Sequence, residues 1–394
     1  MKKISILTIL LLHGIFMYGE YAVVTAPVVD CTGEPLGRPY HELPISWAGQ
    51  KNSIENCPRI HQLLFNEVVT VLEEREYEAL VAAPHFFMQS GQEKKNTVWT
   101  LKKNLTYFSK LHESEKRVIP QPLSYQNPDT RYENTITLKL PYYHEETNTL
   151  FSAGTRFIMT KKNNHYYSIV FYNPQVKATT SAKVPLYLCT EPSQKGNNQK
   201  IDDFVTLLRM WASEDLGSIP LVWGGTSFTE KYYPHTYTKE ESISADGQLI
   251  EYWQPSFRAA PFTGFDASGL ILRAAQICGI PYYFKNTITA AKNLKPLQPT
   301  DSLLQGDLLF VPGGLLVVSC LEHNRIIAAI GYQFGYGKIV ELPLEKLFLN
   351  ATTYEDILNL SYAKEPLYTK KADGSLSREI EQFCFLRMAS CWEK

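Results

Sequence analysis

The stretch Thr263-Gly264-Phe265-Asp266-Ala267-Ser268-Gly269 opens an apolar run that continues to Ile280. A glycine, an acidic residue and a small pair ahead of such a run mark a helix entrance, with Asp266 as its N-cap. A helix mouth can acidify a thiol for nucleophilic attack, because its dipole and free amides favour negative charge. The residue best placed to react is Ala267, which carries no reactive atom. Ser268 is adjacent, but one residue along a helix is a turn of about 100°, so it is expected to face elsewhere. The stretch is not a nucleophile elbow, since Asp266 stands where the first glycine is needed. Cys278 lies about 16 Å further along the axis, too far to share the mouth. Cys320 and His323 are close enough in sequence for a thiol–base pair; a strand end followed by a solvated turn is the other reading of that segment. His235 falls in a polar insertion and reads as a surface-loop residue.

The elements that must position these residues are legible in outline. The chain has 394 residues, a net charge of −1 and no dense Lys/Arg stripe, which argues against nucleic acid as a partner. Its 24 tyrosines, 19 phenylalanines and 23 prolines favour short strands and turns over a helical bundle. Residues 1–19 have a cationic start, an apolar stretch and small residues near Gly19, the pattern of a cleaved signal peptide. Export without a lipid anchor is expected; an uncleaved membrane tether is the alternative. In an oxidising compartment Cys31 with Cys57, and Cys384 with Cys391, are local candidates for pairing. The bland alternative is that most of the seven cysteines are buried thiols, Cys278 in particular. No Cys/His cluster has metal-ligand spacing, so no metal and no cofactor are expected.

Two strand-rich blocks, 20–120 and 121–192, are broken by turn clusters in the manner of small barrels. The second contains an Asn163-Asn164 turn between two strand-like runs. A polar Gly/Asn-rich linker follows. Apolar residues at 204, 207, 208 and 211 then predict a helix that ends by Gly217. After the Asp266 helix come strand-like runs over 304–319, 324–332 and 338–344, with glycine turns. Residues 351–394 form a mixed extension, with a helix over Thr352–Leu360 and a last strand near Phe383–Met388.

The motifs Pro220-Leu221-Val222-Trp223-Gly224-Gly225-Thr226-Ser227, Gly264-Phe265-Asp266-Ala267-Ser268-Gly269-Leu270 and Leu304-Gln305-Gly306-Asp307-Leu308-Leu309 occur in that order. In this they resemble the NlpC-type cell-wall peptidases, papain-like cysteine enzymes of bacterial murein. The resemblance covers about residues 200–350. It implies an α+β papain-like C-terminal domain preceded by two small all-β SH3-like barrels, the arrangement of the subfamily that cuts γ-D-glutamyl-diamino-acid bonds in stem peptides. In that family the nucleophilic Cys falls at the position of Ala267, and the His at Leu315, or Leu316 if the turn is one longer. The orienting polar residue falls near Ile327, Ala328 and Ala329, with Ala328 the matching position taken here. All three positions are apolar in this chain, so thiol, base and orienter are absent together.

The resemblance also implies that Asp266 and Ser268 grip the free amino end of the ligand's L-alanine, with Thr287 a further contact and Trp223 a pocket wall. An N-cap role for Asp266, helix packing for Ser268 and core packing for Trp223 are the alternatives. The insertion 229–262, with Tyr232, Tyr233, Tyr237, Tyr252 and Trp253, departs from the family and could cover a ligand or pack on a barrel. The expectation is an exported pseudoenzyme of a bacterial periplasm or cell envelope, binding peptidoglycan stem peptides or an envelope protein. Its rivals are an active murein cysteine endopeptidase with an unrecognised nucleophile and a purely structural envelope subunit.

Overall fold

The computed structural model describes residues 19–41, 43, 46–48, 57–128, 134–191, 195–215, 217–230, 237–243, 249–255 and 261–393. The signal-like segment therefore lies outside the described residues up to 18, as do Tyr232, Tyr233 and His235 in the insertion.

The first block folds into a seven-stranded sheet. Its strands are β1 (Glu20–Val24), β2 (Val28–Thr32), β3 (Arg59–Leu64), β4 (Val68–Glu74), β5 (Glu78–Ala82), β6 (Thr97–Leu101) and β7 (Leu105–Tyr107), in the order β7-β1-β4-β5-β6-β2-β3. The second block is five-stranded, with β8 (Thr135–Leu138), β9 (Arg156–Lys162), β10 (Tyr166–Asn173), β11 (Ala178–Pro185) and β12 (Cys189–Thr190) in the order β11-β10-β9-β8-β12. The hairpin β9–β10 turns where Asn163-Asn164 was expected to turn it, and the Asn163 carboxamide oxygen accepts the amides of His165 and Tyr166. Its core is aromatic: Phe151, Phe157 and Phe171 pack against Phe65 from the first block.

Helix α1 (Asn197–Ala212) turns Phe204, Leu207, Leu208 and Trp211 inward, as their spacing predicts, and stops five residues before Gly217. The short strands β13 (Thr226–Ser227) and β14 (Gly264–Phe265) pair just ahead of helix α2 (Ala267–Ile277). Helix α3 (Thr287–Asn293) follows. A six-stranded antiparallel sheet comprises β15 (Lys295–Pro296), β16 (Leu308–Val311), β17 (Gly314–Cys320), β18 (Arg325–Ile330), β19 (Lys338–Pro343) and β20 (Cys384–Arg387), in the order β15-β20-β16-β17-β18-β19. The last strand, β20, thus lies between β15 and β16, well inside the sheet. Helix α4 (Tyr354–Ala363) starts at Thr353 with a capping box to Asp356. The insertion forms a hairpin, Tyr237–Ile243 with Leu249–Pro255, whose second strand pairs with Ser46–Ala48.

No disulfide joins any of the seven cysteines. Neither Cys31 with Cys57 nor Cys384 with Cys391 is joined, which corrects the pairing suggested by sequence proximity. Cys31 is sealed in the first sheet, and burial pushes its thiol far above the ordinary range. Cys278 caps the C-terminus of α2, also pushed up by burial. Among the described residues no helix is long and apolar enough to cross a membrane.

Candidate functional site

Helix α2 is buried from Ser268 to Ile277. Its aliphatic residues Leu270, Ile271 and Ala274 share one core with Val317 of β17 and Ile327 of β18. Asp266 caps it: Oδ1 accepts the Gly269 amide at 2.5 Å and the Ser268 hydroxyl at 2.9 Å. Gly269 lets the helix meet the preceding turn, since a Cβ there would stand 2.0 Å from the Gly225 carbonyl oxygen. That turn needs Gly224 as well, at φ +70° with Arg59 backbone behind it.

The first sheet fixes the turn from its other side. Arg59 is buried and bidentate to Asp30, at 2.7 and 3.0 Å, and donates to the Trp223 carbonyl at 3.1 Å. Gln62 accepts the Ser227 hydroxyl and the Thr226 amide and donates to the Phe262 carbonyl. The segment Tyr283–Lys285 pairs with Phe87 from the first block, through Phe87 N to Tyr283 O and Lys285 N to Phe87 O, each 2.9 Å.

Above the mouth of α2 opens a cavity of about 830 Å³. Every site position named from the sequence lines it: Asp266, Ala267, Ser268, Thr287, Trp223, Leu315 and Ala328. Trp223 is 39% exposed and serves as wall. Ser268 reaches the cavity, against the expectation that it would face elsewhere, because its hydroxyl folds back onto the cap carboxylate. Alternation along β18 puts Ala329, with Ile327, in the core that Leu315 of β17 shares, whereas Ala328 belongs to the opposite face. Leu315 is 1% exposed, so the floor facing Ala267 is closed hydrocarbon. Among the described residues no cysteine and no histidine lines this cavity. Cys320 ends β17 opposite Arg325, and neither it nor His323 in the following turn reaches the cavity.

The resemblance marked Lys285 only as part of the segment Lys285-Asn286-Thr287, not as the partner of Asp266. Its ammonium lies 2.5 Å from Asp266 Oδ2, and the residue is 2% exposed. Burial pulls this amine below its ordinary value, against the pull of Asp266. The cap carboxylate therefore already holds an internal cation, and its two oxygens serve an amide, a hydroxyl and an ammonium.

Nor did the sequence signal a second convergence, beside α2 and outside the cavity lining. His61 on β3, Glu67 in the β3–β4 turn and His85 after β5 bring their ligand atoms within 4.8 Å of one another. Arg273 of α2 donates to Glu67 at 2.8 Å and to the Thr226 carbonyl at 3.0 Å. Burial drives His61 far below its ordinary value, helped by His85, Lys285 and Arg273. Burial likewise lowers His85 to about 4, opposed by Glu67. Both rings are neutral at physiological pH.

No family model and no curated protein sequence matches the chain. Three chains of known structure match its fold. One is an NlpC/P60 family protein from Bacillus cereus ATCC 10987, with a TM-score of 0.53 and 14% identity, over 85% of this chain and 96% of that one. The chain shares the fold of an NlpC/P60 protein.

Proposed function

We propose that the chain is a pseudoenzyme on an NlpC/P60 peptidase fold, an exported envelope protein whose cavity binds peptidoglycan stem peptides, or an envelope partner presenting a like segment, without hydrolysing them. In this reading the two N-terminal sheets are SH3-like modules, and the first braces the turn that carries Trp223 through Arg59 and Gln62. The observation that carries it is the composition of the cavity. A cysteine peptidase needs a thiolate, an imidazole within hydrogen-bond reach and a polar orienter. The positions that the resemblance gives to thiol and base are Ala267 and Leu315; Ala328, taken for the orienter, lies on the other face of β18 from Leu315, and Ala329 on the Leu315 face is apolar too. The hydroxyl nearest the mouth, Ser268, donates to a carboxylate that is already paired with Lys285. That carboxylate is held as a recognition and capping group rather than as a free base.

An open cavity lined by apolar side chains and by polar ones, including Lys370 and Arg378, suits binding. Trp223 and the hydrocarbon of β17 and β18 offer contact area, while Asp266, Ser268, Asn286 and Thr287 offer polar contacts at the mouths of α2 and α3. A ligand ammonium at Asp266 would share its carboxylate with Lys285.

The test is to incubate purified protein with stem peptides carrying a free L-alanine, following cleavage by mass spectrometry and binding by calorimetry. Binding without cleavage is expected. Cleavage would favour an active endopeptidase, and neither binding nor cleavage would favour a structural subunit. Asp266→Asn should weaken binding; unchanged affinity would remove Asp266 from the ligand site.

A further inference from the structure

Three side chains able to ligate a metal converge beside α2, their ligand atoms within 4.8 Å of one another, so that closure on one ion needs only a small inward shift. Nε2 of His61 and Nε2 of His85 are 3.2 Å apart, and His85 Nε2 is 3.3 Å from Glu67 Oε2. Two imidazole nitrogens each about 2.0 Å from one tetrahedral ion stand about 3.3 Å apart. The three side chains come from β3, the turn after it and the loop after β5, and all are held in place. Glu67 Oε2 accepts the Leu64 amide at 2.9 Å, while Oε1 is fixed by Arg273. The His85 carbonyl accepts from Gln276 of α2 at 2.7 Å. The His61 ring packs on Phe86 with centroids 4.0 Å apart.

Proton accounting favours an ion over a hydrogen-bonded cluster. A neutral imidazole carries one proton. If His61 Nε2 held its proton toward His85, the bare His85 nitrogen would face the Glu67 carboxylate. If His85 Nε2 held the proton, it alone would have to serve two acceptors, in a three-centre bond. His61 Nδ1, buried and without a hydrogen-bond partner, takes up none of the strain in either case. A divalent cation satisfies all three lone pairs at once.

We propose that His61, His85 and Glu67 form a largely buried binding site for a divalent transition-metal ion of imidazole–carboxylate preference, such as zinc, that ties together β3, the turn after it and the loop after β5, where Arg273 of α2 braces Glu67. The role is structural, since none of the three side chains lines the cavity. The positive charges of Arg273 and Lys285 both act on this cluster and weaken it for a dication, so the ion should be exchangeable with chelator.

The test uses full-length protein dialysed against chelator and titrated with Co²⁺. One ion per chain is expected, with a visible d–d band and no near-ultraviolet thiolate band, and Zn²⁺ should displace it. Added Zn²⁺ should raise the thermal midpoint and chelator should lower it. Loss of a supporting outer-shell group weakens a metal site about 10- to 100-fold, so His85→Gln should weaken Co²⁺ binding by at least about tenfold. Because this variant could fold poorly, Glu67→Gln is measured beside it, and wild-type uptake stands independently of both. No stoichiometric uptake, a thiolate band, or uptake unchanged in both folded variants would overturn the site and leave a hydrogen-bonded network only.

Discussion

The mouth of helix α2 and the cluster packed beside that helix divide access from chemistry. At the mouth an open cavity of about 830 Å³ is lined by Ala267, Leu315 and Ala328 among others, and among the described residues no thiol or imidazole lines it. Beside it, outside that lining, two histidines, a glutamate and an arginine converge, both histidines and the arginine buried. The accessible face can bind but lacks the groups to break a bond. The reactive groups are neutralised, oriented and enclosed, which suits holding a structure together.

The largest expected effect lies on the enclosed face. Arg273→Ala removes the cation from Glu67 and leaves a buried carboxylate partly uncompensated, which typically costs about 3–5 kcal/mol. Denaturant unfolding should show a loss of that order, and a loss below about 1 kcal/mol would mean that the cluster is not a structural joint. The pH dependence comes next. The two histidines titrate lower folded than unfolded, from 6.5 to about 4 in the case of His85. Between those values the unfolded chain binds more protons, so stability falls as the pH drops. In chelator-treated protein the slope should approach about 1.4 kcal/mol per pH unit for each histidine. His85→Gln should flatten it, and a flat wild-type profile between pH 6.5 and 4 would contradict the enclosure of these rings.

Effects on the open face should be smaller and should appear in binding. Lys285→Met frees the Asp266 carboxylate, so peptides with a free amino end should bind about tenfold, or about 1.4 kcal/mol, more tightly, while N-acetylated ones should not. Calorimetry with the two peptides decides; equal changes would take Asp266 out of amine recognition. Ala267→Cys should change stability by no more than about 0.5 kcal/mol, since the new sulfur points into open space. It should restore no cleavage, because Leu315 cannot accept a proton. Hydrolysis by this single variant would show that a base is present after all.

Much of this architecture is written locally. The Asp266 cap, the apolar stripe of α1, the Asn163-Asn164 turn and the Thr353 capping box are each set by residues within a few positions of one another, so sequence reasoning reaches them. The motif order also places Trp223, Asp266, Ala267, Ser268, Thr287, Leu315 and Ala328 on one cavity. What escapes is whatever long-range pairing decides. The insertion of β20 between β15 and β16 leaves no periodic signature in residues 384–387. Lys285 meets Asp266 because its segment pairs with Phe87, nearly two hundred positions earlier. His61, Glu67 and His85 look like unrelated residues of separate strands and turns until the first sheet closes against Arg273. Free cysteines follow the same rule: proximity in sequence did not bring the thiols into bonding geometry.

The most direct test of inert binding is the crystal structure of the protein soaked with a stem peptide carrying a free L-alanine. Intact peptide should lie over Ala267 against Trp223 and the β17–β18 wall, with its amino end near Asp266. A cleaved product or a covalent adduct in that cavity would contradict the account, and so would a cavity left empty at saturating peptide.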